Sequence, residues 1–354
     1  MFLQGWMERM SHTVRLEPSG HTFEVADGVS ILAAGLEAGF ALPFSCRQGV
    51  CRSCRGTLLE GEIDYGEVHP AYLSEADRAK GAVHLCQAKP LSDVTLQVRE
   101  LEGLAGVRVA KIPCRVAEIT KAAPDVSIVK LRLPLNENMM FAAGQHIEFL
   151  LPDEKRRNYS IASKPSIEGV TQIELHIRHI PGGYFTENVL SKMKARDLMR
   201  FEGPLGSFYL RTDSQKPVLM VGGSTGFAPL KSMCEQIFER GLNETRPVTL
   251  YWGARTREGL YMLDIAEEWA LSQKNFRFVP VLSEPTPACN WSGRTGLVHE
   301  AAFSDIPDMS AMEAYVCGPS VMVEAARSSF IEQRSLAEDA FYADAFLTAA
   351  DTAA

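Results

Sequence analysis

Residues 44–55 read Phe-Ser-Cys-Arg-Gln-Gly-Val-Cys-Arg-Ser-Cys-Arg and crowd three thiols, Cys46, Cys51 and Cys54, onto one short loop. A fourth follows in His84-Leu85-Cys86-Gln87. Thiolates at CxxxxCxxC spacing with a distant fourth form the ligand run that holds two irons bridged by sulfides. Zinc sites usually set CxxC against a second close pair of ligands, and Cys86 stands alone. The other four cysteines (Cys114, Cys234, Cys289, Cys317) are scattered, a pattern of metal ligands plus unpaired thiols in a reducing compartment. Inside the loop, Gly49 permits tight curvature, so that successive amides can point at cluster sulfurs. Arg47, Arg52 and Arg55 read either as solvated surface charge or as a cationic rim for an acidic partner.

At 354 residues the chain is too long for one ordinary core and suits two or three domains. Hydrophobic residues make up 46% and charged residues 23%, a globular balance. No apolar run approaches a membrane span, and no basic stretch followed by an apolar core opens the chain, so a cytoplasmic protein without a membrane partner is expected. The formal charge of -8 argues against nucleic acid, which needs a concentrated basic face. Met1 to Arg9 precede a second methionine, Met10, and read as an upstream start, a tag remnant or a disordered leader.

From Thr13 the pattern becomes regular. Val14, Leu16, Phe23 and Val25 alternate with polar residues on either side of Ser19-Gly20, which predicts a β-hairpin. Ser30 to Phe40 reads as a short helix, Leu58 to Ile63 and Val94 to Val98 as strands, and Ser74 caps another short helix. With the cysteine loop among them, these elements resemble the β-grasp fold of plant-type ferredoxins, and an iron–sulfur domain is placed at 11–101. Many ferredoxins of this type carry glycine where Arg52 stands. Periodicity fades around Leu101 to Val107, where the linker is expected.

Strand-like segments then recur at Ser127 to Leu133, His146 to Leu150, Ile173 to Arg178 and Phe208 to Arg211, predicting a small antiparallel barrel over 107–211. Two motifs sit inside it. Gly182-Gly183-Tyr184-Phe185-Thr186 precedes an expected helix over Glu187 to Met193; a glycine pair at a helix start exposes amides to a phosphate, and Thr186 adds a hydroxyl. In Arg157-Asn158-Tyr159-Ser160, Arg157 can pair with a pyrophosphate, Tyr159 can lie against an aromatic ring, and Ser160 can donate toward a ring nitrogen. The RxYS and GGxx[ST] patterns resemble the ferredoxin-NADP reductase superfamily. That resemblance implies FAD as the ligand, with His176 and Arg178 on the neighbouring strand as further contacts.

Period changes again in the last third. Val218 to Val221, then Gly222-Gly223-Ser224-Thr225-Gly226-Phe227-Ala228-Pro229, then a helix from about Leu230 to Glu239 make strand, glycine-rich turn and helix start, a cradle for a dinucleotide phosphate. Further strands at Val248 to Trp252, Phe276 to Leu282 and Ala314 to Cys317, with helices between, predict an α/β domain with a parallel sheet over 215–346. The turn resembles the superfamily's G[GT]xGxAP loop, with Ser224 where glycine is common; Gly223, Thr225 and Gly226 are its candidate contacts. Cys317-Gly318-Pro319 resembles its CGP nicotinamide motif. After the second strand, Arg255 and Arg257 suit a 2'-phosphate and Glu258 a ribose diol; the carboxylate favours NADH, with NADPH as the alternative. In relatives an aromatic near the C-terminus covers the flavin, which implicates Phe346, then Tyr342.

Along nearly its whole length the chain resembles three-domain iron–sulfur flavoprotein reductases. The resemblance implies an enzyme in which NAD(P)H gives a hydride to FAD beside Tyr159, Ser160, Cys317 and Phe346, and the electrons leave singly through the 2Fe-2S cluster, near about -400 mV, to an electron-accepting protein. A monomer is expected. Domain order points to a Rieske ring-hydroxylating or other aromatic oxygenase as the acceptor. Leu175-His176-Ile177-Arg178-His179, Tyr251-Trp252-Gly253-Ala254-Arg255 and Phe341-Tyr342-Ala343-Asp344 look instead like CDP-6-deoxy-glucoseen reductases, which serve a deoxysugar dehydratase. A redox-sensing or electron-storage module is a third reading.

Overall fold

A computed structural model describes residues 11–101 and 107–346, so Met1 to Arg9 and most of the expected linker lie outside the described residues. The chain divides into two compact units, with residues 106–346 in the second.

The first unit contains β1 (Ser11–Glu17), β2 (Thr22–Ala26), α1 (Ile31–Glu37), β3 (Arg55–Glu60), β4 (Ile63–Asp64), α2 (Glu75–Ala79), β5 (Ala82–His84), β6 (Lys89–Pro90) and β7 (Val94–Gln97). β1 and β2 form the expected hairpin, because Val14, Leu16, Phe23 and Val25 point to one buried face. The main sheet runs β2-β1-β7-β3-β5, with β1 and β7 parallel at its centre. Ser30 caps α1 by accepting from the Ala33 amide, and Ser74 and Asp77 form a capping box on α2. The stretch 41–54 has no regular structure and hangs between α1 and β3. This mixed sheet with one covering helix agrees with the β-grasp expectation.

The second unit opens with β8 (Ala110–Ala123), β9 (Val126–Arg132), β10 (His146–Leu150), β11 (Arg156–Ser160), β12 (Gln172–Arg178), α3 (Tyr184–Asn188) and β13 (Leu198–Leu205). Its strands pair antiparallel in the order β11-β10-β13-β8-β9-β12 around a core that includes Val129, Ile147, Phe149, Leu175 and Phe185. An Ile161↔Leu175 bridge joins the end of β11 to β12, bringing the two edges of the sheet together. The expected strand at 208–211 is absent. Phe208, Tyr209 and Leu210 are all buried in succession, and Phe208 and Leu210 pack into the core of the following sheet, so the segment has no solvent face to alternate with.

That sheet contains β14 (Val218–Gly223), α4 (Phe227–Glu239), β15 (Val248–Ala254), α5 (Leu263–Ser272), β16 (Phe276–Leu282), β17 (Arg294–Thr295), α6 (Val298–Asp305), β18 (Glu313–Pro319), α7 (Ser320–Arg334) and β19 (Phe341–Phe346). Every pairing is parallel, in the order β17-β16-β15-β14-β18-β19, with apolar cores on both faces. α4 starts at Phe227, earlier than the sequence predicts; Pro229 falls in the first turn, where a missing N–H costs nothing. The C-terminal aromatics, read from sequence only as a segment beyond the last helix, form strand β19. None of the described helices is long and apolar enough to cross a membrane.

Candidate functional site

The cysteine loop is shaped by three residues in the left-handed region, Arg47 (φ 56°), Gly49 (φ 77°) and Arg52 (φ 60°). Two of them carry side chains, which the backbone tolerates there at about 1–2 kcal/mol each. The curvature turns amides onto sulfur: Gln48 N–H donates to Cys46 Sγ at 3.3 Å, Cys51 N–H to Cys46 Sγ at 3.4 Å, and Cys46 N–H to Cys51 Sγ at 3.4 Å. A Cβ on Gly49 would press on Gln87 and Val68 at 3.1 Å, and the Gly49 carbonyl is held by His84 Nδ1 at 2.9 Å.

The thiols fall into two pairs. The Cys51 thiol against Cys46 holds the Cys46 thiol down to about 7 and pushes Cys51 well up; Cys54 and Cys86 divide in the same way, Cys54 raised and Cys86 lowered. Among the described residues no three acidic, histidine or cysteine side chains converge as ligands of a single metal ion. Four thiols at this spacing fit two irons with two ligands each. Cys51, Cys54 and Cys86 are buried and Cys46 is partly exposed. Of the arginines expected to form a rim, Arg55 is paired with Asp77 at 2.9 Å, Arg52 donates to the Ala71 carbonyl at 2.9 Å, and Arg47 lies 4.7 Å over the Phe44 ring. They brace the loop as well as charge it.

In the barrel, Arg157 and Tyr159 occupy one face of β11 and Ser160 the other, as strand alternation requires. Tyr159 packs on Phe149 and Phe185 (centroids 5.9 and 5.0 Å), so its ring orientation is fixed by the core. Arg157 is exposed. The 182–186 turn differs from expectation in its donors. Gly183 is the N-cap, so the helix begins at Tyr184; Gly182 N–H is taken by Glu187 at 2.5 Å, Gly183 N–H by Ile180 O, and the buried Thr186 hydroxyl by Ile180 O at 3.0 Å. The first-turn amides of Tyr184, Phe185 and Thr186 are left without intrahelical acceptors and are the donors a phosphate can use. Arg178 pairs with Asp125 at 3.0 Å. The His176 side chain is 0% exposed and both ring nitrogens are engaged, Nδ1 with Tyr261 at 2.8 Å and Nε2 with Glu174 at 3.0 Å, so its ring faces no ligand in this arrangement.

The nucleotide turn is built on close backbone approach. A Cβ on Gly226 would sit 2.1 Å from the Cys317 carbonyl, and one on Gly318 3.2 Å from Gly223 Cα. The turn and the Cys317-Gly318-Pro319 segment therefore touch backbone to backbone at the C-terminal edge of the sheet, the place where such sheets bind nucleotides. Ser224 adopts φ 53°, explaining why glycine suits that position, and its carbonyl accepts from Trp252 Nε1 at 2.9 Å. Thr225 is buried. Arg255, Arg257 and Glu258 are exposed just beyond β15, where a ribose substituent would be read.

One residue that the structure brings to the candidate site escaped the sequence reading. Asp344 on β19 lies beside Cys317 in register and accepts from Ser160 Oγ at 3.2 Å, uniting β11, β18 and β19 at one buried point. Burial pushes the Cys317 thiol well up, so it stays protonated. Phe346 lies opposite Pro319 in register and is partly exposed, whereas Tyr342 is stacked on Tyr315 at 5.0 Å.

Comparison with known proteins places these geometries. Residues 14–91 match the 2Fe-2S iron-sulfur cluster binding domain, residues 113–209 the oxidoreductase FAD-binding domain, and residues 220–328 the oxidoreductase NAD-binding domain. Together they define an electron-transferring oxidoreductase. The CDP-6-deoxy-L-threo-D-glycero-4-hexulose-3-dehydrase reductase of Yersinia pseudotuberculosis is 40% identical over 339 residues, 96% of this chain and 99% of its own length. The reductase component DmpP of phenol 2-monooxygenase from Pseudomonas sp. CF600 is 35% identical, with 97% of each chain covered. The crystal structure of the Amycolatopsis cytochrome P450 reductase GcoB superposes with a TM-score of 0.75 at 32% identity, covering 95% of this chain and 98% of that one. The chain belongs to the three-domain iron–sulfur flavoprotein reductases.

Proposed function

We propose that this chain takes electrons from NADH and delivers them singly to the metal centre of an oxygenase component, a Rieske ring-hydroxylating or other aromatic oxygenase. When bound, FAD accepts the hydride of the nicotinamide and the 2Fe-2S cluster carries its electrons onward one at a time. The observation that carries this reading is the four-cysteine site itself, with Cys51, Cys54 and Cys86 buried and the partly exposed Cys46 providing an outlet at the surface. In this reading the division into domains is 11–101, 107–211 and 215–346.

Each side chain then has a task. Cys46, Cys51, Cys54 and Cys86 hold the irons, and the amides of Gln48 and Cys51 stabilise charge on the cluster sulfurs. Arg157 and the first-turn amides of Tyr184, Phe185 and Thr186 would hold the flavin's phosphates, while Tyr159 and the strand of His176 and Arg178 would frame its ring system. Ser160 and Asp344 keep a proton between oxygens 3.2 Å apart in a buried site, at the point where the flavin ring is expected. Gly223, Thr225 and Gly226 admit the nucleotide's pyrophosphate. Cys317, Gly318 and Pro319 would line the nicotinamide position, and Phe346 would lie over the flavin face that the nicotinamide must reach. Glu258 would accept from the ribose diol and repel a 2'-phosphate, which makes NADPH the poorer donor even though Arg255 and Arg257 could pair with that phosphate.

A second acceptor is favoured by a specific observation, the 40% identity to the Yersinia dehydrase reductase over nearly the full length of both chains. In that reading the electrons go to a deoxysugar dehydratase. Reduced protein mixed anaerobically with each class of acceptor decides between them. Reoxidation of the 2Fe-2S EPR signal by a Rieske or diiron oxygenase component, and not by a pyridoxamine-phosphate dehydratase, supports the first; the reverse supports the second.

A further inference from the structure

The helix that begins at the nucleotide turn is fastened to the barrel by a largely buried polar chain. Lys231, one turn into α4, is 8% exposed; its Nζ donates to the Ala162 carbonyl at 3.2 Å and pairs with Glu235 at 2.9 Å and with Glu174 of β12 at 3.4 Å. The next residue, Ser232, donates to the Ser163 carbonyl at 2.6 Å. Ser163 Oγ in turn accepts from the Glu174 amide at 2.6 Å. From Glu174 the chain continues to His176 Nε2 at 3.0 Å and from His176 Nδ1 to the Tyr261 hydroxyl at 2.8 Å. Tyr261 sets its ring edge-on to Trp252 and Phe227, at 5.3 and 6.3 Å between centroids.

The donors and acceptors are consistent with one another. Burial lowers the His176 pKa, so the ring is neutral near pH 7, accepts from Tyr261 at Nδ1 and donates to Glu174 at Nε2. Burial would raise Glu174, but the His176 hydrogen bond and the Lys231 charge outweigh it and hold the carboxyl at about 2. A largely buried ammonium that meets three acceptors adds little net stability after desolvation and can instead fix geometry. Its position tells what geometry is fixed. Ala162 and Ser163 follow Ser160 by two and three residues; Lys231 and Ser232 follow the Gly226 turn on the same rigid helix; Tyr261 ends the loop that carries Arg255 and Glu258.

We propose that Lys231, Ser232 and the Glu174-His176-Tyr261 chain are positioning residues that lock the nucleotide-binding helix onto the barrel segment behind Ser160, and thereby set the distance across which the hydride moves. The inference rests on the hydride reading given above and deepens it. No bond is made or broken by the lock itself. Hydride transfer is steeply sensitive to donor–acceptor separation, and a displacement of about 1 Å can cost about 100-fold. A lock of this kind acts on that step and leaves the phosphate contacts alone.

The test uses the FAD- and cluster-loaded protein. In Lys231→Met, single-turnover flavin reduction by NADH should slow by about 10- to 100-fold. The Kd for NADH should stay nearly unchanged, and the primary isotope effect with deuterated NADH should become strongly temperature-dependent. Lys231→Arg, which keeps the charge, should recover part of the rate. Independently of turnover, amide hydrogen exchange should rise together over 160–163 and 226–232 in Lys231→Met and in Tyr261→Phe, the latter removing only a hydroxyl. Unchanged exchange in both segments, or an isotope effect that keeps the wild-type temperature dependence, would overturn the proposal. Failure of the wild-type protein to accept a hydride from NADH would instead sink the reading of the electron source, and the exchange data would still decide the lock.

Discussion

The cysteine loop and the Gly222–Gly226 turn are both short, irregular and crowded, yet they are held by opposite means. The first has no strand or helix within it; its curvature comes from Arg47, Gly49 and Arg52 at positive φ and from amides bonded to sulfur. Irons shared by the thiols would add to that framework, because metal–ligand bonds contribute folding energy. The nucleotide turn is gripped between β14 and α4 and closed against Cys317 with no room for a methyl group. One site is held by local curvature and amide–sulfur bonds, the other by packing of backbone against backbone. The difference teaches that a loop's chemistry and a loop's rigidity need not come from the same residues.

The largest effect should come from Cys86→Ser. Removing one thiolate should abolish the 2Fe-2S EPR signal and reduce transfer to cytochrome c to background, while flavin-only ferricyanide reduction continues. Loss of both activities would show that the two regions are not independent. Next, Gly226→Ala drives a Cβ to 2.1 Å from the Cys317 carbonyl. Overpacking of this kind costs about 2 kcal/mol, so a lower Tm and a sharp fall in NADH affinity are expected, with the cluster's EPR signal unchanged. Gly49→Ala places a side chain at φ 77° and should cost about 1–2 kcal/mol, read as faster cluster release to a chelator.

A change in the opposite direction is expected for Ser224→Gly. Relief of the left-handed serine should raise stability by about 1 kcal/mol in thermal unfolding, and an unchanged or lower Tm would show that the turn is not strained there. The smallest effect concerns pH. Glu174 is held at about 2, below its ordinary 4.5, so it stabilises the folded state above that ordinary value, and the contribution is lost as pH falls from 4.5 toward 2. In Glu174→Gln the fall in Tm across that window should be shallower; an identical slope would mean the carboxyl does not feel Lys231 and His176.

Much of this was legible because the relevant residues are neighbours in the chain. Cys46, Cys51 and Cys54, the Arg157 to Ser160 run and the Gly222 to Pro229 turn carry their chemistry in local spacing, and alternating Val14 and Leu16 announce a strand without help. What escaped depends on contacts between distant segments. Asp344 meets Ser160 across 184 residues, and Lys231 meets Ala162 across 69, with no motif to mark either. His176 was legible as a residue of the barrel strand but not in its orientation, because only the packed structure shows Tyr261 and Glu174 occupying both nitrogens. The 208–211 segment misled because its run of apolar residues is buried on every side, which a strand pattern imitates.

Of the chain's four tryptophans, Trp252 has an unusual setting. Its indole is wholly buried, stacked 3.9 Å from Phe227 at 12°, and its N–H is tied to the carbonyl of Ser224 inside the nucleotide turn. Trp269 and Trp291 are partly exposed. The indole is therefore a built-in optical reporter, a chromophore hydrogen-bonded to the backbone of the turn proposed to receive the pyrophosphate. Changes in its emission on titration with nucleotide would report occupancy of the turn in real time without an added dye.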